Sequence, residues 1–120
     1  MNKICTTIEQ SKKLLYLGIK AETADMWYIN GEGKPRIGKW SENQHDWDDI
    51  PAWSLVALIE ILRQRKDCNS LNTHTNSASL CFVETSYYKN ANWQKISCVK
   101  ENLIDACVEI IIKLHEQNLL

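Results

Sequence analysis

Two hydrophobic periods alternate along this chain. Leu55, Leu58, Ile59 and Leu62 recur at spacings of three and four, which predicts one buried helical face within "PAWSLVALIEILRQR". Pro51 suits the first position of that helix, because its φ is already helical and its missing N–H would be unpaired there. Asp48 and Asp49 lie just ahead, favourable to the positive end of the helix dipole, and Arg63, Arg65 and Lys66 lie at the negative end. A second helix is predicted from Lys100–Asn102 to about Gln117. Its apolar set, Leu103, Ile104, Cys107, Val108, Ile110, Ile111 and Leu114, covers more than half the circumference. Such a helix is either deeply packed or also faces a partner. Near the start, Thr6 or Thr7 can cap a helix with Glu9 or Gln10 at the capping-box offset. Ile8, Leu14, Leu15 and Leu17 would form its apolar face, and Gly18 stands where a C-terminal cap belongs. "KAETAD" adds one more helical turn.

Between the helices the period shortens toward two. "MWYI", Met26 to Ile29, is rich in strand formers, "NGEGKP" is turn chemistry, and "RIGKW" returns as a second strand. "SLCFVET" places Leu80, Phe82 and Glu84 on one face and Cys81, Val83 and Thr85 on the other. "YKNANW" reads as a hairpin turn and "WQKISCV" as the partner strand. "KDCNSLNTHTNSAS" is polar and turn-like. The expected fold is α+β: a single domain over residues 1–120, with about three helices on a small antiparallel sheet of roughly four strands built from two hairpins.

Composition narrows the classes. With 14 basic and 15 acidic residues the net charge is -1, so no global electrostatic drive toward nucleic acid or anionic membrane exists. No window approaches the roughly 18 apolar residues of a membrane span. The first residues, "MNKICTTIEQSKKLLYLG", are too polar for a signal-peptide core, so a cytoplasmic location is expected. The five cysteines are scattered singly and read as reduced, mostly buried thiols.

Three segments, "ETADMWY" (Glu22–Tyr28), "DIPAWSLVALIEIL" (Asp49–Leu62) and "ENLIDACVEIIIKLHE" (Glu101–Glu116), together resemble a group of small uncharacterised proteins of bacterial prophages and mobile elements in gut commensals. The resemblance spans most of the chain in order. That group has proline where this chain has Leu103, which leaves the start of the last helix less sharply defined here. The resemblance implies a mobile-element origin and a shared fold, and no chemistry.

Four constellations carry candidate function. His45, Asp46, Asp48 and Asp49 combine carboxylates with an imidazole, but lack the spacing and central glycine of a calcium loop. A solvated loop favouring a helix N-terminus is the plainer reading. Cys68 with His74 lacks the doubled ligands of a zinc site. As a nucleophile, Cys68 is the sole cysteine in a polar loop. Cys81 and Cys107 read as core. Among the aromatic residues, Trp27 and Trp53 read as core, and Trp40, Trp47, Tyr87 and Tyr88 as surface candidates. "NGEGKPRIG" is a hairpin turn, not a phosphate loop. His115 and Glu116 read as solvent-facing or subunit-edge groups.

The expectation is a non-catalytic accessory protein of prophage or mobile-element origin acting through protein contacts. It carries no cofactor or metal, and could form a homodimer through the C-terminal helix. Its candidate binding residues are Trp40, His45, Asp46, Trp47, Tyr87 and Tyr88. The alternative is a small nucleic-acid-binding protein using exposed aromatics. A third reading is a metal-dependent enzyme centred on His45 to Asp49.

Overall fold

The computed structural model describes residues 4–65, 70–75 and 80–119. The chain divides into two compact units, Met1–Leu58 and Ile59–Leu120. The class is α+β, as expected. Among the described residues, however, the strands form two antiparallel three-stranded sheets rather than one of four. Cys68 and Lys66 lie outside the described residues.

In the first unit, α1 (Ile8–Tyr16) is capped by Thr7, with a reciprocal capping box to Gln10. Gly18, at φ +95°, ends it, and Ile19 N–H reaches back to Leu14 O at 3.0 Å. "KAETAD" supplies a single 3₁₀ turn, Ala21–Thr23. The sheet runs β2 (Arg36–Ile37), β1 (Met26–Tyr28), β3 (Ile50–Ala52). β1 alternates faces: Met26 and Tyr28 join Cys5 and Ala52 in the core, with Ile8 and Ile50 packed against them. Trp27 therefore points away from that core. The expectation of a core Trp27 is corrected: it is half-buried on the opposite face.

β3 overturns a second expectation. Pro51 is not at a helix start; it pairs with Trp27 in an edge strand, where a residue without an N–H is tolerated. The helix begins later, as α2 (Leu55–Arg63). Ser54 caps it, its Oγ accepting from Ala57 N at 3.3 Å. The Asp25 carboxylate holds Ser54 in turn, accepting from Ser54 N at 2.9 Å and from the Ser54 hydroxyl. Asp48 and Asp49 are thus not helix-mouth acids. Trp53, fully buried as expected, is fixed at three points. Its N–H donates to Thr6 Oγ1 (3.1 Å), its carbonyl accepts from Thr6 N (2.9 Å), and its indole donates to Thr23 Oγ1 (2.9 Å).

In the second unit the sheet order is β4 (Leu71–Thr75), β5 (Cys81–Lys89), β6 (Asn92–Lys100). The turn expected at "YKNANW" is Asn90–Ala91, both at positive φ (55° and 63°), which is the two-residue type I′ hairpin. The strand β4 was unforeseen. It is polar and mostly exposed, so it lacks the apolar alternation by which strands are recognised. Helix α3 (Leu103–Glu116) is capped by Asn102, which accepts from Asp105 N at 2.8 Å. It packs on β5 and β6. Ile104, Cys107, Val108, Ile110, Ile111 and Leu114 are all buried within the chain. Burial within one chain accounts for most of the broad apolar face that had suggested a partner. Arg65 is buried as well: its Nε donates to Leu62 O (3.1 Å), and its guanidinium also donates to Thr85 Oγ1 (2.7 Å) and Ser86 O (3.0 Å).

Candidate functional site: a braced turn and an aromatic sheet face

The segment His45–Asp49 is organised by its own backbone. Asp49 N–H donates to Asp46 O at 3.1 Å, closing a β-turn with Trp47 and Asp48 at its tip. Asp46 N–H donates in return to Asp49 Oδ2 at 3.0 Å. The other oxygen, Oδ1, accepts from Asn30 N at 2.9 Å, which docks the turn onto the Ile29–Gly31 turn. Gly31 is needed there. Its φ is +69°, and a Cβ would approach Ile50 Cδ1 to 2.9 Å and Asp48 O to 3.3 Å. "NGEG" is thus a platform for this turn as well as a hairpin connection. The backbone N–H of Asn30, then that of Asp46, and then His45 hold the Asp49 carboxyl below its ordinary value.

His45 is the second brace. Its ring stacks on Trp40, with centroids 3.5 Å apart and planes 8° from parallel, and meets the Trp27 ring at 83° and 5.0 Å. Gly38 allows the indole of Trp27 to lie there, since a Cβ at Gly38 would fall 2.9 Å from Trp27 Cζ3. His45 Nε2 lies 2.8 Å from Trp40 O. A carbonyl only accepts, so this nitrogen carries a proton. Nδ1 is 3.4 Å from Asp49 Oδ2, at ion-pair distance but outside hydrogen-bonding geometry. A histidine beside a carboxylate invites comparison with a general base. Here one ring face is covered by Trp40 and Nε2 is engaged by a main-chain carbonyl, so the imidazole serves as a strut. Among the described residues, no three His, Cys, Asp or Glu side chains form a group able to hold a metal ion.

What the braces present is Trp47, which is 97% exposed at the turn tip. Asp46 and Asp48 flank it, both exposed. Of the sequence-derived residues in this unit, Trp40, His45 and Asp46 hold the turn, and Trp47 is displayed by it.

The two remaining candidates belong to β5 and separate. Tyr87 is corrected from surface to buried, 6% exposed, because it shares the inward parity of Cys81, Val83 and Thr85. Its hydroxyl donates to Gln94 Oε1 at 2.9 Å. Tyr88 faces outward and meets Trp93 edge-on, 5.3 Å between centroids at 67°. Trp93 is 54% exposed. The same outer face carries Val99 opposite Phe82, and Phe82 lies against His74 at 4.8 Å. Lys95 pairs with Glu84 there at 3.6 Å. Sequence reading missed Trp93 and Val99 as members of this face; their period-two spacing from Lys95 and Ser97 was the available signal.

The described cysteines are free and buried. Burial raises the Cys98 thiol, and burial with nearby Cys98 pushes Cys107 up to about 12, so neither is a poised nucleophile. Burial, and then its contact with Cys5, raises the Tyr28 phenol. No helix among the described residues is long and apolar enough to cross a membrane. No family model, curated protein or solved structure matches the chain.

Proposed function

We propose that this is a non-catalytic accessory protein, of prophage or mobile-element origin, that acts through protein–protein contacts. One observation carries the contact reading: Trp47 stands almost wholly in solvent on a turn closed by two reciprocal hydrogen bonds and braced by the His45–Trp40 stack. A fully solvated indole adds nothing to folding, yet the fold invests several interactions in holding its position. Tryptophan is the residue most enriched at interface hot spots, and a rigid turn lowers the ordering cost of burying it against a partner.

The test is a Trp47→Ala variant, with a photo-reactive side chain placed separately at position 47 to capture and identify the neighbour in cells. The reading expects the variant to melt like the parent and to bind the identified partner about thirty-fold or more weakly, the loss expected of a hot spot. Unchanged affinity would remove Trp47 from the contact.

A second reading has its own observation. Tyr88 and Trp93 form an exposed aromatic pair on a sheet face, an arrangement that can stack bases of a single strand. The net charge of -1 and the pairing of Lys95 with Glu84 weigh against it. A salt-dependent shift of a labelled oligonucleotide would favour this reading, and absence of binding at low salt would end it.

A further inference from the structure

Among the described strands β6 stands at the edge of its sheet, and the geometry points to a second copy of this chain as the occupant of that edge. The two copies would pair antiparallel through β6 about a twofold axis at Ile96. The inference deepens the contact-protein reading but does not depend on Trp47.

A type I′ turn at Asn90–Ala91 is closed by Lys89 and Asn92, and such a closing pair is the hydrogen-bonded kind. Counting by twos, Asn92, Gln94, Ile96, Cys98 and Lys100 turn their backbone groups toward β5. Trp93, Lys95, Ser97 and Val99 turn theirs to the other edge. In the sheet order β4, β5, β6, no other described strand pairs with that edge. The strand is nine residues long and has no proline. Short edge strands and prolines are among the devices that discourage edge pairing, and β6 has neither.

Lysine is another such device, and β6 carries Lys95 and Lys100. The register resolves both. With Ile96 opposite itself, Lys95 meets Ser97 of the second copy, and Lys100 meets Asn92. Trp93 then meets Val99 on the outer face, where both are exposed large apolar side chains with no cross-strand apolar neighbour on the open side. Moving the twofold one residue back sets Lys95 against Lys95, like charges directly opposed. Moving it one residue forward leaves Trp93 facing Glu101, beyond the strand. The Ile96 register alone among these neighbours matches apolar to apolar and avoids the lysine clash. It is also consistent with the backbone: Ile96 becomes a non-hydrogen-bonded pair, and the four outward-facing residues become hydrogen-bonded ones. The Lys95 charge is already balanced within its own sheet by Glu84. The product is a six-stranded sheet in which each Phe82–Val99 pair continues into Trp93 and Tyr88 of the other copy.

Sedimentation equilibrium of the whole chain over a concentration series tests association. Ser97→Pro removes one outward N–H at an edge position where proline is otherwise tolerated. The expected result is a reversible dimer for the parent and a monomer for Ser97→Pro, with matching circular dichroism. Ile96→Cys tests the register independently of any folding defect in the proline variant. Opposed residues of a non-hydrogen-bonded antiparallel pair lie about 4.5 Å apart at Cα, within disulfide range. Oxidised glutathione should therefore link Ile96→Cys into a covalent dimer above the parent's background, whereas Ser97→Cys, whose self-pairing belongs to the next register, should not link. A parent monomeric throughout the series, or a dimer that links through Ser97→Cys and not Ile96→Cys, overturns the proposal. Trp47→Ala should leave the dimer intact, so loss of an external partner and loss of this pairing are separately visible.

Discussion

The two units of this chain are held together by different kinds of interaction. The second is built from long regular elements: two nine-residue strands in full register and a fourteen-residue helix with a continuous apolar face. Among its described residues the first has no strand longer than three residues, and three 3₁₀ turns stand among them. Its order comes from side chains that bond to distant backbone: Thr6 to Trp53, Asp25 to Ser54, Asp49 to Asn30, Tyr28 to Thr6. Periodic burial can be assembled residue by residue along a strand. A network of long-range polar bonds is satisfied only when every partner is in place, because a buried donor left unmade costs its full desolvation.

The sharpest break in the comparison is at Trp53. Trp53→Ala removes the largest fully buried side chain of the first unit, along with the bond to Thr23, and should cost about 3–5 kcal/mol in a denaturant titration. A loss under about 1 kcal/mol would mean the short-strand unit tolerates a hole at the centre of its bonded network.

Next is Arg65, where the second unit, too, relies on side chains bonded to distant backbone. Arg65→Ala strips the donors from Leu62 O, Thr85 Oγ1 and Ser86 O and should cost about 2–3 kcal/mol. Amide exchange should show the loosening at Ser70, whose carbonyl also accepts from Thr85 Oγ1 at 2.7 Å.

Smaller and opposite in sign is Ala91→Gly. Alanine sits at φ 63° in the hairpin turn, and glycine relieves that strain. The variant should be more stable by about 0.5–1 kcal/mol in thermal melts. Destabilisation would mean that the turn is not the I′ type that sets the β5–β6 register.

The smallest effect is confined to acid. The Asp49 carboxyl is held below its ordinary value of 3.8 in the folded chain, chiefly by the Asn30 and Asp46 N–H groups. Below 3.8 the unfolded state binds more protons than the folded one. The stabilisation from Asp49 is therefore present above 3.8 and is lost as pH falls through the depressed folded value. Asp49→Asn should melt with a shallower pH dependence on that acid limb and show greater Trp47 mobility in fluorescence anisotropy. A parent and variant with parallel acid limbs would remove Asp49 as the clasp of the turn.

The legible and the illegible follow the same division. The final helix with a start within Lys100–Asn102, the hairpin turn within "YKNANW" and the α1 caps were all visible as local patterns, since caps and turns are set by residues within four positions of one another. Pro51 misled because proline suits a helix start and an edge strand equally; the choice fell to β1, twenty-odd residues away, with which Pro51 pairs. Trp27 and Tyr87 were misplaced for a related reason. Each lies in a real strand, but which face is inward depends on what packs against the sheet.

The candidate site divides along the same line. The residue types in "HDWDD", together with Trp40, were conspicuous in the sequence, and the short range of a β-turn made Asp46–Asp49 a reachable local closure. Nothing local dictates that Trp40 stacks on His45, that Trp27 meets its edge, or that Asn30 supplies the N–H that fixes Asp49. Composition, period and capping determined the class, the helices and the central hairpin of this protein, because those depend on neighbours along the chain. Only tertiary structure decided that His45 would be a strut and Trp47 the exposed tip, because those roles depend on which distant backbone and ring come to lie beside them.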